Sequence, residues 1–473
     1  MMNFCALTIE MGMAVLALLL LVADLCMNEN QSRRSIGYMA AAGVAGLLAF
    51  SFTQYGTNST FWHGMFLQDD FALFFKQIFL MGAVLAILFS FDTVDKLPHS
   101  KAEFYVLFLF AVIGMMVLAS ANDMITLYVG LELMTFSFFI LVGFVLSDSR
   151  STESAIKYLV LASASSAIML YGISLIFGFT GQMDYAGVVK GLAASPAILI
   201  GCIMLLAGFA FKLAAPPFHM WAPDVYEGAP VPVTALLAMG SKAAGLAAFA
   251  RVLMTVFPAT GYPWMILILI LSAASMLIGN ISAIPQTNVK RLLAYSSIAQ
   301  AGYLMTGFLP GNAAGLKGVM FYAMIYVFAN AGAFAVVAAV NDQRNGETIS
   351  DFAGLSRQSP ILAAAMTVSL LSMAGIPPLA GFVGKFFLFS AAIDAGFLWI
   401  AVLGFVLSMI SVYYYLMVVK SMYLGQAADE KPFAVSMSVQ CTVLFAMAAT
   451  LAMGVYPGPL SHLADIAAKS IFH

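Results

Sequence analysis

Residues Phe211 to Lys242 read FKLAAPPFHMWAPDVYEGAPVPVTALLAMGSK. This stretch does three things that a membrane-spanning helix normally avoids. It places Lys212 at membrane depth, interrupts the helix at the adjacent Pro216 and Pro217, and sets Lys242 into the next apolar run. A lysine at the centre of a spanning helix costs about 2.5 to 3.5 kcal/mol on insertion scales, so a chain that keeps two of them uses or pairs them. Each proline lacks a backbone N–H and disfavours a helical residue before it, which leaves carbonyls one turn earlier without donors. Freed groups of this kind survive in a bilayer only against buried protein or a water-lined cavity. A broken helix beside buried ammonium groups is the outline of a hydrated ion path. The alternative is a kinked helix whose lysines stretch to the headgroups.

The surrounding chain has the composition of a membrane body. Of its 473 residues, 62% are hydrophobic and 9% charged, where soluble domains run at about 45 to 50% apolar and 25% charged. The formal charge of -2 leaves no basic stripe to meet phosphate, which argues against a nucleic-acid partner. Cys5, Cys26, Cys202 and Cys441 are scattered through apolar runs with no CxxC pair and no adjacent histidine. They suit neither an iron–sulfur cluster nor zinc, so any electron chemistry is expected in another chain. The N-terminus lacks a basic n-region, and the run from Met11 to Met27 is long enough to remain as a span, so no cleaved signal is expected.

Apolar runs of about 20 residues between short polar breaks predict an all-α polytopic membrane protein of fourteen transmembrane helices. The runs lie near 5–27, 36–54, 71–93, 102–119, 124–146, 152–178, 193–222, 230–257, 263–283, 288–309, 314–341, 358–394, 397–424 and 434–456. The whole chain is one membrane domain. It divides into N-terminal helices (1–95), a five-helix unit (101–258), a second five-helix unit (262–425) and a last helix with a tail (433–473).

Proline interrupts the seventh and twelfth spans, and both carry a lysine: FKLAAPPFHMW from Phe211 and MAGIPPLAGFVGKF from Met373. They are five helices apart. An odd offset makes the two units inverted repeats, the usual framework of ion-coupled transporters with broken helices near the midplane. The symmetry is imperfect, because Lys212 precedes its prolines and Lys385 follows its own.

Charge placement predicts orientation. Arg33, Arg34, Lys96, Lys101, Arg150, Lys290, Arg291, Arg344, Arg357, Lys420 and Lys431 fall in or beside loops after odd-numbered spans, against Lys190, Lys317 and Lys469 on the other side. By the positive-inside tendency the loops after odd spans are cytoplasmic and both termini face outward. Lys76, Lys157, Lys212, Lys242, Arg251 and Lys385 remain inside spans as candidates for function.

Glu132 stands about 12 Å into the fifth helix, where an isolated carboxylate is neutral, hydrated or paired with a cation. Lys212 or Lys157 is its expected partner. Lys157 follows Glu153 by four residues near a helix start, which fits an interface salt bridge as well as a functional site. Lys242 lies mid-run, too far from either end to snorkel easily, and Lys385 lies within GFVGKFFLF. Burial disfavours the ammonium form and a nearby carboxylate restores it, so moving a partner toggles the charge. That is the requirement of a proton pump. His219 could bridge protons between Lys212 and Lys242, or serve as a structural histidine beside the break. Asp224 and Glu227 read as surface charges that cap the next helix or ring a channel mouth, and Glu10, Asp24, Lys76 and Arg251 as solvated or structural ones near helix ends.

These motifs resemble the proton-translocating antiporter-like membrane subunits of respiratory complex I, the NADH:quinone oxidoreductase. The carrying passages are YVGLELMTFSFFILVGF from Tyr128, SAIKYLVLASASSAIMLYG from Ser154, the Phe211–Lys242 stretch, NVKRLLAYSSIAQAGY from Asn288 and MAGIPPLAGFVGKF from Met373. VYEGAPVPVT and KRLLAYSS favour the N type over the related L and M types. Gln300 stands where many relatives have histidine, and Pro216 adds a proline to the usual break.

The resemblance implies a fourteen-helix subunit of a bacterial cytoplasmic membrane that carries no redox group. NADH, FMN, iron–sulfur clusters and quinone then belong to other subunits, and neighbouring antiporter-like and small membrane subunits are the partners. By matching position it implies proton-translocation roles for Glu132, Lys157, Lys212, Lys242 and Lys385. The alternatives are a cation/proton antiporter subunit of the Mrp kind and the proton-pumping subunit of a membrane-bound hydrogenase.

Overall fold

The computed structural model describes residues 7–27, 32–97, 101–191, 195–260, 264–426 and 433–472, so Cys5 and Lys431 lie outside the described residues. The spans are α1 (Thr8–Cys26), α2 (Arg34–Ser51), α3 (Asp70–Asp95), α4 (Lys101–Ser120), α5 (Met124–Val142) and α6 (Ser149–Thr180). The seventh is split into α7a (Pro196–Lys212) and α7b (Trp221–Gly228), followed by α8 (Val231–Thr255). Then come α9 (Trp264–Ala283), α10 (Val289–Thr306), α11 (Ala313–Arg344), the split pair α12a (Pro360–Ala374) and α12b (Ala380–Asp394), α13 (Leu398–Leu424) and α14 (Met437–Val455).

Eleven of these helices are long and apolar enough to cross a membrane by themselves. The two broken spans and the serine- and glutamine-bearing α10 complete the set of fourteen. Helix starts follow local chemistry. Asp69, Asp123 and Asp148 each accept hydrogen bonds from first-turn amides of α3, α5 and α6, and Asn288 and Asn312 do the same for α10 and α11. Such caps satisfy amides that have no partner inside the helix.

The helices wrap around two central rods, α8 and α11. The most apolar windows of α8 and α11 are 100% buried, against 28% for those of α1 and α14, which lie at the periphery. Matching crossings recur five helices apart. In the first, a side chain at Gly114 of α4 would strike the α5 backbone at Met134, at 2.4 Å; in the second, one at Gly279 of α9 would strike the α10 backbone at Ala299, at 2.5 Å. Only glycine permits such close helix approach.

Two features lay outside the sequence reading. A hairpin of β1 (Ser59–Phe61) and β2 (Phe66–Gln68) joins α2 to α3. The tail folds as α15 (Gly458–Ser470), whose Ser470 hydroxyl accepts from the Phe71 amide at the start of α3, at 3.0 Å. Both lie on the face opposite the loops that follow odd-numbered spans. Those loops form the basic face.

Candidate functional site

Six cations are buried among the described residues: Lys76, Lys212, Lys242, Arg251, Lys290 and Lys385. They divide into two classes. Three have a carboxylate: Lys76 pairs with Glu10 at 2.6 Å, Arg251 with Asp69 at 2.9 Å and Lys290 with Glu347 at 2.8 Å. The other three, Lys212, Lys242 and Lys385, make no ion pair among the described residues and are held by hydroxyl and carbonyl oxygens. Helix breaks or irregularities flank all three.

Lys212 is the last residue of α7a. After it the chain turns through Ala214, which has a left-handed φ of 53°, before α7b starts at Trp221. The Trp221 indole donates to the Phe211 carbonyl at 2.9 Å, so one acceptor next to the break is satisfied by a side chain. Lys212 Nζ donates to the Thr135 hydroxyl of α5 and lies 5.9 Å from the centre of the Tyr158 ring.

Lys242 follows a π-helical turn, Leu237–Ser241, within α8. Such turns arise from one extra residue in the helix and recur at functional sites. Lys242 Nζ donates to the Ser297 hydroxyl of α10 at 2.6 Å. Beside it is a cavity of about 10 Å³ walled by Ser297 and Tyr326 together with apolar side chains such as Leu213 and Leu246.

Lys385 of α12b reaches back across its own break. Pro377 and Pro378 deprive the carbonyls of Met373 and Ala374 of their helical donors. Lys385 Nζ donates to those two oxygens at 2.9 and 3.2 Å, and to the Ser408 hydroxyl of α13 at 2.7 Å. The Met373 oxygen also receives the Gln300 amide at 2.9 Å, and the Ala374 oxygen receives the Ser408 hydroxyl at 2.6 Å. An ammonium group has three donors and a neutral amine two. Losing a proton here strands neither carbonyl, because each keeps a second donor.

Neighbouring helices link the sites into a row. On α5, Glu132 and Thr135 are three residues apart and share a face. A side chain at Gly245 of α8, three residues beyond Lys242, would touch Lys212 Cβ at 3.4 Å, which places α7a directly on α8. On α10, Ser297 holds Lys242 and Gln300 shares an acceptor with Lys385. Gln300 also accepts from the Tyr322 hydroxyl at 2.6 Å.

Several expectations are corrected. Glu132 pairs with neither Lys212 nor Lys157; it is half-buried and accepts from the Ser166 hydroxyl, itself 2.9 Å from the Tyr128 hydroxyl. Lys157 is outside the buried row. Its side chain is 43% exposed on the basic face, at 2.7 Å from Glu153 and 2.8 Å from Asp224. Asp224 is more than a cap, since it also pairs with Arg291 at 2.7 Å and so ties α6, α7b and α10 together. His219 is half-buried in the break, with an unpartnered Nδ1, and hydrogen-bonds neither Lys212 nor Lys242. Lys76, Glu10 and Arg251 are buried in ion pairs, where solvation was one expectation, and Lys290 is a buried group instead of a loop charge. Sequence reasoning missed Thr135, Ser166, Ser297 and Ser408, because serine and threonine carry no periodic signal of their own. A hydroxyl on an otherwise apolar face of a spanning helix was the available cue.

Residues 121–411 match the family model described as NADH:quinone oxidoreductase/Mrp antiporter, transmembrane. An NADH-quinone oxidoreductase subunit N from Heliobacterium modesticaldum is 52% identical over 472 residues, covering 100% of both chains. The chain belongs to the NADH-quinone oxidoreductase subunit N family. Among solved structures, a chain of respiratory complex I from Thermus thermophilus with bound aureothin superimposes with a TM-score of 0.83 at 31% identity, covering 97% of this chain and 100% of that one. A chain of the Mrp complex from Dietzia sp. shares the fold at a TM-score of 0.86 and 20% identity, covering 98% of both. The fold of this chain is thus the antiporter-like membrane fold of complex I.

Proposed function

We propose that this chain carries protons across a bacterial cytoplasmic membrane by means of the row formed by Glu132, Lys212, Lys242 and Lys385. Quinone reduction in other subunits of the complex supplies the work, and no redox group resides in this chain. The basic face is the cytoplasmic one, and both termini lie outside.

One observation carries the reading: the three buried lysines without a carboxylate are the three joined by α5, α8 and α10, whereas the buried cations off the row are each neutralised. A charge buried without a counter-ion is costly. Such an amine responds to any movement that brings water or an acid near it. The break in α7 and the π turn in α8 are where small backbone shifts accomplish this. Moving one charge against 100 mV requires about 2.3 kcal/mol, so shifts worth a few kcal/mol per site match the task. Glu132 tunes Lys212 from one helical turn away on α5, through Thr135.

The test is Lys212→Ala in the assembled complex. Proton pumping and coupled quinone reduction should fall together; normal pumping refutes the role. Sodium-driven proton movement by the chain reconstituted alone would favour the antiporter reading instead.

A further inference from the structure

The basic face holds a cavity of about 610 Å³ between the ends of α3, α7b, α8, α10 and α11. Its walls are unusual for a membrane protein, since Asp148, Arg150, Glu227, Lys290, Glu347 and Asp351 all line it. Lys290 and Glu347 close its inner end. Lys290 is 3% exposed; its Nζ lies 2.8 Å from Glu347 and donates to the Ala229 carbonyl, where α7b meets α8, at 2.9 Å.

Behind this pair lies Lys242. Ser297, its hydroxyl partner, follows Lys290 by seven residues on α10, which is two turns and about 10.5 Å along the same face. Tyr226 fills the space between. It stands three residues before Ala229, its ring centre is 5.9 Å from Lys242 Nζ, and its hydroxyl lies beside Ser297 without a well-formed hydrogen bond. A cavity of about 10 Å³ lies beside Lys242 and Ser297, with mostly apolar walls that include Leu213, Leu246 and Leu304.

We propose that this vestibule is where protons enter from the basic face, and that the Lys290–Glu347 pair is its gate. The proposal rests on the proton-carrying reading of the row. The backbone around Glu347 is pinned: the Val289 amide donates to the Glu347 carbonyl and the Ile349 amide to the Thr287 carbonyl, each at 2.8 Å, and Thr348 and Asp351 cap each other's turn. Opening is therefore a side-chain event. When the pair swings apart into the polar vestibule, the Ala229 carbonyl and the Tyr226 hydroxyl meet water, and a proton passes by way of water and Ser297 to Lys242 Nζ.

The experiment uses the assembled complex in inside-out vesicles, which present the basic face to the medium. Thr93, on the vestibule wall at the end of α3, is replaced (Thr93→Cys) and treated with a membrane-impermeant methanethiosulfonate, with the parent protein treated alongside. Labelling should slow pumping by about tenfold relative to the same variant unlabelled, about 1.4 kcal/mol in barrier, and a reductant should restore it. Glu347→Gln should depress pumping by a similar factor, with Glu347→Asp recovering most of it. Normal pumping after complete labelling, or no labelling from this face, overturns the vestibule; normal pumping by Glu347→Gln overturns the gate. Lys212→Ala in the same vesicles separates the two levels. If it is inactive while the labelled and Glu347→Gln proteins pump normally, only this proposal fails; if Lys212→Ala itself pumps normally, the row fails as well. Should Glu347→Gln not assemble, the reversible block still decides, because it acts on a complex already built.

Discussion

Lys385 Nζ lies 2.9 Å from the carbonyl oxygen of Met373, the acceptor that Pro377 leaves without a helical donor. The amine and the helix break are therefore one local structure, and the lysine repairs the backbone that its own helix interrupts. Gln300 from α10 donates to the same oxygen, so the repair does not depend on the lysine's charge.

Lys385→Met should consequently assemble well. Its two backbone acceptors keep Gln300 and Ser408, and the stability change should stay near 1 kcal/mol, the net worth of an ordinary hydrogen bond. Pumping should nonetheless fall at least about tenfold, because no proton carrier remains. Vesicle acidification measured against complex abundance checks both halves.

Thr135→Val removes the hydroxyl that holds Lys212 while keeping the side chain's shape. Leaving a buried donor unsatisfied costs about 1–3 kcal/mol, so pumping should drop while helix packing persists. Thr135→Ser should restore it. Equal rates for the valine and serine variants would show that the hydroxyl is idle.

Gln300→Leu should lower stability by about 1–3 kcal/mol, since it strands the buried Tyr322 hydroxyl. The Met373 oxygen would then depend on Lys385 alone. Thermal unfolding of the purified complex is the measurement, and an unchanged transition would contradict the bridging role.

Arg251→Ala belongs to a different class. It leaves Asp69, which now accepts two guanidinium hydrogen bonds of 2.9 Å, as an uncompensated buried charge. The loss should be about 3–5 kcal/mol and should appear as poor assembly. Adding Asp69→Asn should recover part of the yield, with little change in pumping per assembled complex.

Lys157 and Asp224 should behave as one unit. If Lys157 acts through Asp224 to hold α7b against α6, the double replacement by alanine should slow pumping no more than the worse single one. Additive losses would give Lys157 a role of its own. Its 43% exposure makes any effect on stability small, because surface pairs are screened by solvent.

The number of spans, their positions within a few residues and the two broken helices were legible in the sequence. Apolar run length, the missing N–H of proline and the rarity of lysine in hydrocarbon are properties of the residues themselves and act wherever the chain is placed. The amphipathic α15 escaped because it is short and polar on one side, and the π turn before Lys242 because nothing in LAMGS distinguishes it from regular helix.

Which lysine has an acid and which has only hydroxyls was decided by tertiary structure. Lys212 or Lys157 was the expected partner of Glu132, yet Glu132 accepts from Ser166 on α6 and Lys212 donates to Thr135 on α5. Lys76, Arg251 and Lys290, in turn, are neutralised by residues 66, 182 and 57 positions away. Pairing in the membrane interior depends on the rotation of each helix about its axis and on its crossing with its neighbours. Those are set by packing among many side chains at once, as at Gly114 and Gly279, and no local stretch of sequence contains them.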